Sequence, residues 1–104
     1  MYASVTQFIV DFRGDDMNVA QDAFERNVVP EMRKQAGYEG SYFLRTTRGV
    51  GMLISLWEDE AAAEVGLHSG PFVDQMAALR RVLGKVEDEQ AFRIGFADHP
   101  IALD

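Results

Sequence analysis

Between Tyr2 and Phe12 the chain alternates in β-favouring residues, with Thr6, Phe8, Val10 and Phe12 on one side and Val5, Gln7, Ile9 and Asp11 on the other. A strand is expected there, broken by Arg13-Gly14-Asp15-Asp16. The period then changes. Met17, Ala20, Phe24, Val28, Met32 and Ala36 recur every three or four residues and form one apolar stripe of a helix, which Asp15 or Asp16 can cap. Pro30 lies inside the stripe, where its missing N–H kinks the helix or divides it, with the proline starting the second piece. Gly37 is a natural end for the segment.

Ser41 to Thr46 reads as a second strand, and Thr47-Arg48-Gly49 as the tight turn into a third, Val50 to Trp57, so these two strands are expected to be antiparallel. Glu58-Asp59-Glu60 suits a helix start, and Ala61 to Leu67 forms a short helix that Ser69-Gly70-Pro71 interrupts. A second helical piece carries Phe72, Met76, Leu79 and Leu83 at helical spacing and ends at Gly84. Gln90 to Phe96 reads as a last strand with Phe92, Ile94 and Phe96 on one side, followed by an extended arm from Ala97 to Asp104 that holds His99-Pro100. The order β-α-β-β-α-β is the split-βαβ, ferredoxin-like α+β arrangement, with both helical segments on one face of a four-stranded antiparallel sheet.

The third strand changes the picture. Met52, Ile54 and Leu56 point to one side and Leu53, Ser55 and Trp57 to the other, so both faces are largely apolar and the sheet is expected to be covered twice. The chain's own helices cover one face only. The other face would leave Trp57, Leu53 and their neighbours exposed as a patch larger than soluble monomers usually tolerate, and a second copy of the chain is its simplest cover. The expected assembly is a homodimer with a pocket between sheet and helices. Trp57 is either a wall of that pocket or a core or interface aromatic.

Composition narrows the function. With 104 residues, no internal repeat and no linker, residues 1–104 are read as one domain. An apolar fraction of 47% with 26% charged residues is that of a soluble globular protein, and no apolar run is long enough to span a bilayer, so no membrane partner is expected. The start MYASVTQFIVDF has no basic region before an apolar stretch, so no signal peptide is read and the protein is expected to be cytoplasmic. A net charge of −7 without a basic stripe argues against nucleic acid, and the acidic runs 58–60 and 87–89 read as solvated helix starts and turns. The absence of cysteine excludes disulfides and thiolate chemistry. His68 is the one histidine in the folded body, which leaves no transition-metal constellation to propose. No phosphate-cradling loop or dinucleotide fingerprint occurs, since Gly49-Val50-Gly51 sits in a hairpin. His68 is the candidate general base near neutral pH, or an exposed residue at a helix end. Tyr42 and Arg45 fall on opposite faces of the second strand, so at most one of them shares a cavity with Trp57. Tyr42 could bond a phenol, and Arg45 and Arg93 could hold an anionic group or pair with carboxylates.

Gly37-Tyr38-Glu39-Gly40, the segment Leu53-Ile54-Ser55-Leu56-Trp57-Glu58-Asp59-Glu60-Ala61, and the later Ser69 and Phe72 resemble the antibiotic biosynthesis monooxygenase family of dimeric α+β barrels, from Tyr2 to about Phe96. The resemblance implies a cofactor-independent monooxygenase acting on an electron-rich aromatic small molecule such as a quinol or anthrone, with no cofactor and no metal. On that reading Trp57, from the resemblance, and His68, from its residue type, are the catalytic candidates, and Trp57, Tyr42, Leu53 and Arg45 are the substrate-pocket candidates. Trp57 matches the family's strand-end tryptophan. Leu53 stands where the anthrone-oxidising members carry an asparagine, Ala63 where they carry a tyrosine, and Gly66 where the quinol-oxidising members carry a histidine, with His68 two residues later. The tryptophan, histidine and asparagine of the haem-degrading members are absent at Gly66, Met76 and Thr6. A non-catalytic binding or structural member of the fold is the alternative, its cavity widened by Gly66 and Ala63.

Overall fold

A computed structural model describes residues 1–11, 14–83 and 85–98. Four strands, β1 (Tyr2–Ile9), β2 (Tyr38–Arg45), β3 (Val50–Trp57) and β4 (Lys85–Arg93), form one sheet in the order β2-β3-β1-β4, with every neighbouring pair antiparallel. The helices α1 (Asp16–Ala23), α2 (Val29–Arg33), α3 (Glu60–Leu67) and α4 (Gly70–Arg80) pack on one face. The ferredoxin-like α+β order read from the sequence is therefore the observed one. The expectations for Phe12, Arg13, Gly84 and the arm at His99-Pro100 lie outside the described residues.

The first apolar stripe buries Met17, Ala20, Phe24, Val28 and Met32 against the sheet, while Ala36 lies beyond the helix end and is exposed. Between α1 and α2 the backbone runs as a π-helical turn, Phe24–Val28. Its physical cause is visible in the spacing. Steps of four from Ala20 to Met32 drift off an α-helical stripe, and the wider turn returns Phe24, Val28 and Met32 to the core. Pro30, which has no N–H to give, falls in the first turn of α2, where none is needed. Asp59 caps α3 by accepting the Ala62 N–H at 2.8 Å, so the run 58–60 behaves as a helix start.

The last strand corrects the reading. It begins at Lys85 and ends at Arg93, not at 90–96, and the acidic run Glu87-Asp88-Glu89 is strand rather than turn. Pairing with β1 decides it. An edge strand tolerates charge that a central strand does not, and carboxylates there discourage pairing with a further chain.

The larger correction concerns the faces of β3. Gly51, Leu53, Ser55 and Trp57 face the helices, together with Thr6 and Phe8 of β1, and Trp57 is 0% exposed in the single chain. Both sides of β3 are apolar, so its own pattern does not choose. The glycines do. Phe8 occupies the space above Gly51 and Trp57 the space beside Gly66 of α3, so that a Cβ at either glycine would overlap the ring. Gly66 thus makes room for the indole and does not widen a cavity. The face left open carries Val5, Met52, Ile54 and Leu56 at its centre, with Tyr42 and Leu44 of β2 on one side and Phe92 of β4 on the other. Tyr42, Leu44 and Phe92 are each between 45% and 47% exposed.

Candidate functional site

A cleft of about 370 Å³ opens between the β1–β4 side of the sheet and α3–α4. Its rim holds His68, Arg80, Glu89 and Gln90, and its floor Ser4 and Thr6. Past Leu67, Phe72 and Met76 it meets a further 30 Å³ of inner space bounded by Ser4, Thr6, Leu53, Ser55, Phe24 and Met32. The strand period explains the floor. Ser4 and Thr6 alternate inward along β1, and Ser55 is the direct cross-strand partner of Ser4. The cleft is polar at its rim, apolar along its walls and hydroxyl-bearing at its base, which suits a flat amphipathic molecule.

His68 ends α3 at the rim, its side chain 74% exposed. Its Nδ1 lies 2.6 Å from the carbonyl oxygen of Glu64. A carbonyl only accepts, so Nδ1 carries the hydrogen and Nε2 holds the free lone pair. The Glu64 carboxylate lies 3.7 Å from the same nitrogen, in an exposed pair. Across the rim Arg80 of α4 pairs with Glu89 of β4, bridging the cleft by an exposed ion pair.

The structure brings only some of the expected site residues together. Leu53 borders the inner space and His68 the rim. Trp57 does not line the cleft. Its ring is packed behind the floor, edge-on to Tyr38 at 5.5 Å, and its Nε1–H donates to Ser55 Oγ at 2.9 Å. Arg45 shares the helix side but lies at the far end of β2, where Nη1 donates to Asn18 Oδ1 and Gln21 Oε1 at 2.9 and 2.8 Å and ties the strand to α1. Tyr42 is on the opposite face and borders a shallow hollow of about 590 Å³ at the outer edge of β2, together with Arg33, Glu25 and Glu39. That hollow is larger than the cleft; the cleft is distinguished by Ser4, Thr6, Leu67, Phe72 and Met76, which it shares with the inner space.

Sequence reasoning missed Ser4, Thr6 and Ser55, because isolated hydroxyl residues in strands belong to no motif. One signal was available: Ser55 is the polar interruption of an inward apolar face, two residues before the tryptophan. Among the described residues no three His, Asp or Glu side chains converge as metal ligands, and no helix is long and apolar enough to cross a membrane.

No family model and no curated protein matches the sequence. Solved structures do. SnoaB, a cofactor-independent oxygenase from Streptomyces nogalater, is 22% identical over 92% of this chain and 94% of its own, with a TM-score of 0.75. ActVA-Orf6 of Streptomyces coelicolor, a monooxygenase solved with nanaomycin D, is 21% identical over 96% of this chain and 92% of its own, with a TM-score of 0.74. A proposed antibiotic biosynthesis monooxygenase from Deinococcus radiodurans is 14% identical over 98% of this chain and 100% of its own, with a TM-score of 0.71. The chain therefore has the fold of the antibiotic biosynthesis monooxygenases, and the resemblance first carried by residues 37–40 and 53–61 extends through nearly the whole architecture.

Proposed function

We propose that the chain is a cofactor-independent monooxygenase of an electron-rich aromatic molecule, a quinol or anthrone, working as a homodimer with one helix-side cleft per subunit. The observation that carries this reading is the cleft itself, with an apolar slot for a flat ring, a histidine with a free lone pair at its rim and hydroxyl donors at its base. Such a substrate supplies the electrons. His68 Nε2 takes the acidic proton, and the resulting carbanion-enolate reduces dioxygen. For an anthrone, the ring CH2 becomes C=O, one oxygen atom enters the product and the other leaves as water. The four electrons that dioxygen requires all come from that carbon. What the protein must do is hold the ring, exclude bulk water and stabilise the anion.

Aerobic turnover of anthrone, followed with an oxygen electrode, is expected to consume one O2 per molecule. His68→Gln should lower kcat by about 100-fold, the usual contribution of a positioned base. Uptake no faster than in buffer, across a panel of anthrones and quinols, would refute the oxygenase reading. It would leave the second one, a non-catalytic binder of an apolar small molecule, which Leu53 at the family's asparagine position and the burial of Trp57 favour.

The homodimer rests on the open sheet face. Four strands about 4.8 Å apart and eight residues rising about 3.3 Å each span roughly 19 by 26 Å. That is about 500 Å² in projection, so side-chain relief and surface beyond the sheet would supply the rest of the roughly 800 Å² per partner of an ordinary stable interface. No helix of the described residues lies over Met52, Ile54 or Leu56.

A further inference from the structure

We infer that the anion formed on the substrate is held by the Ser55 hydroxyl, seconded by Thr6 and Ser4, and that Trp57 acts as a positioning residue behind Ser55 rather than as a wall of the cleft. The inference rests on the proposed aromatic substrate for its ligand class, and on four observations for its geometry. The three hydroxyl residues bound the same inner space, and Ser4 and Thr6 also line the cleft that His68 borders. Ser55 and Thr6 are 6% and 8% exposed, in walls otherwise made of Phe24, Met32, Leu53, Phe72 and Met76. The indole Nε1–H occupies a lone pair of Ser55 Oγ at 2.9 Å. Trp57 itself is sealed by Tyr38 and by the Cβ-free surface of Gly66, so its N–H can reach no ligand directly.

The chemistry follows. A serine oxygen that accepts from an N–H becomes a stronger O–H donor, because each hydrogen bond in a chain polarises the next. With the indole fixed behind it, the Ser55 rotor is also restrained from turning its oxygen, rather than its hydrogen, toward the ligand. A phenolate or enolate oxygen at the inner end would accept from Ser55, and from Thr6 and Ser4 beside it. Hydroxyl groups in an apolar wall are poor partners for a cation and sufficient ones for a delocalised anion.

Alizarin, a planar hydroxyanthraquinone whose colour reports its ionisation, tests this without turnover. Bound to the wild-type protein, it should change colour about one pH unit lower than in buffer, the effect of hydrogen bonds made only to the charged form. Ser55→Ala should abolish most of that displacement and Thr6→Val part of it; Ser55→Ala should also lower the melting temperature, because it strands the buried Trp57 N–H. Trp57→Phe, which keeps a ring and loses the N–H, should reduce it, a readout that mere loss of packing would not move. In turnover, Ser55→Ala should lower kcat by about 100-fold with KM little changed, and Ser55→Thr should restore most of it. An undisplaced colour change in the wild type, a displacement retained in Ser55→Ala, or failure of the dye to bind would overturn the inference. A displacement lost in Ser55→Ala together with absent oxygen uptake would uphold the anion site and reject only the oxygenase reading.

Discussion

Gly66→Ala is expected to destabilise the protein by about 1–3 kcal/mol although alanine is the better helix former, because the added methyl enters the Trp57 ring. In a 104-residue chain that is a fall of roughly 4–20 °C in melting temperature. Trp57→Leu should cost a comparable or larger amount, since it empties a fully buried site and strands the Ser55 hydroxyl. The informative result is the pair. In a Trp57→Leu background the same Gly66→Ala change should cost nothing, or stabilise by up to about 1 kcal/mol through helix propensity, because the ring atoms it would strike are gone. Urea denaturation of the four proteins gives the interaction energy. Equal costs in both backgrounds would mean that the indole does not lie against α3.

A carboxylate at the middle of the open sheet face should have the largest effect on assembly. Ile54→Asp puts an unpaired charge where the proposed interface is driest, at a cost of about 3–5 kcal/mol per buried charge, and it is introduced on both subunits of a symmetric pair. Dimer affinity should fall by at least about 100-fold, while far-ultraviolet circular dichroism stays that of the folded chain, because Ile54 points away from the helix-side core. Sedimentation velocity at micromolar concentration reads this directly. Identical sedimentation of wild type and variant as monomers would remove the homodimer. A monomeric wild type with an intact cleft would leave the oxygenase reading standing on one subunit.

How far the sequence carried the structure depends on which residues made each choice. Element order, the antiparallel hairpin and the first helical stripe were legible, since Thr6-Phe8-Val10 and Phe24-Val28-Met32 announce their own periods. The orientation of β3 was not. Leu53 and Trp57 on one side balance Met52, Ile54 and Leu56 on the other, and the decision falls to Gly51 and Gly66, whose contacts exist only once the chain has folded. β4 was misplaced for a related reason: Glu87-Asp88-Glu89 has the composition of a turn, and its pairing with β1 comes from partners some eighty residues away.

The candidate site divides in the same way. His68 was visible as the one histidine ahead of the C-terminal tail, and its position at the rim follows from the helix end that it caps. Trp57 was visible as a tryptophan at a strand end, but its burial behind Ser55 depends on the glycine nine residues later. Tyr42 and Arg45 were candidates by residue type alone, and the alternation of β2 sends one to the open face and the other to α1. Ser4, Thr6 and Ser55 gain meaning only from being neighbours across two strands.

The proposed ligand enters between sheet and helices, over the hydroxyl floor. An amide chemical-shift titration with an anthraquinone tests it most directly. The resonances of Thr6, Ser55, Phe72 and Met76 should move together with one saturating affinity while those of the β2 edge stay still. Movement confined to Tyr42, Glu39 and Arg33, or to Met52 and Phe92 on the open face, would contradict it.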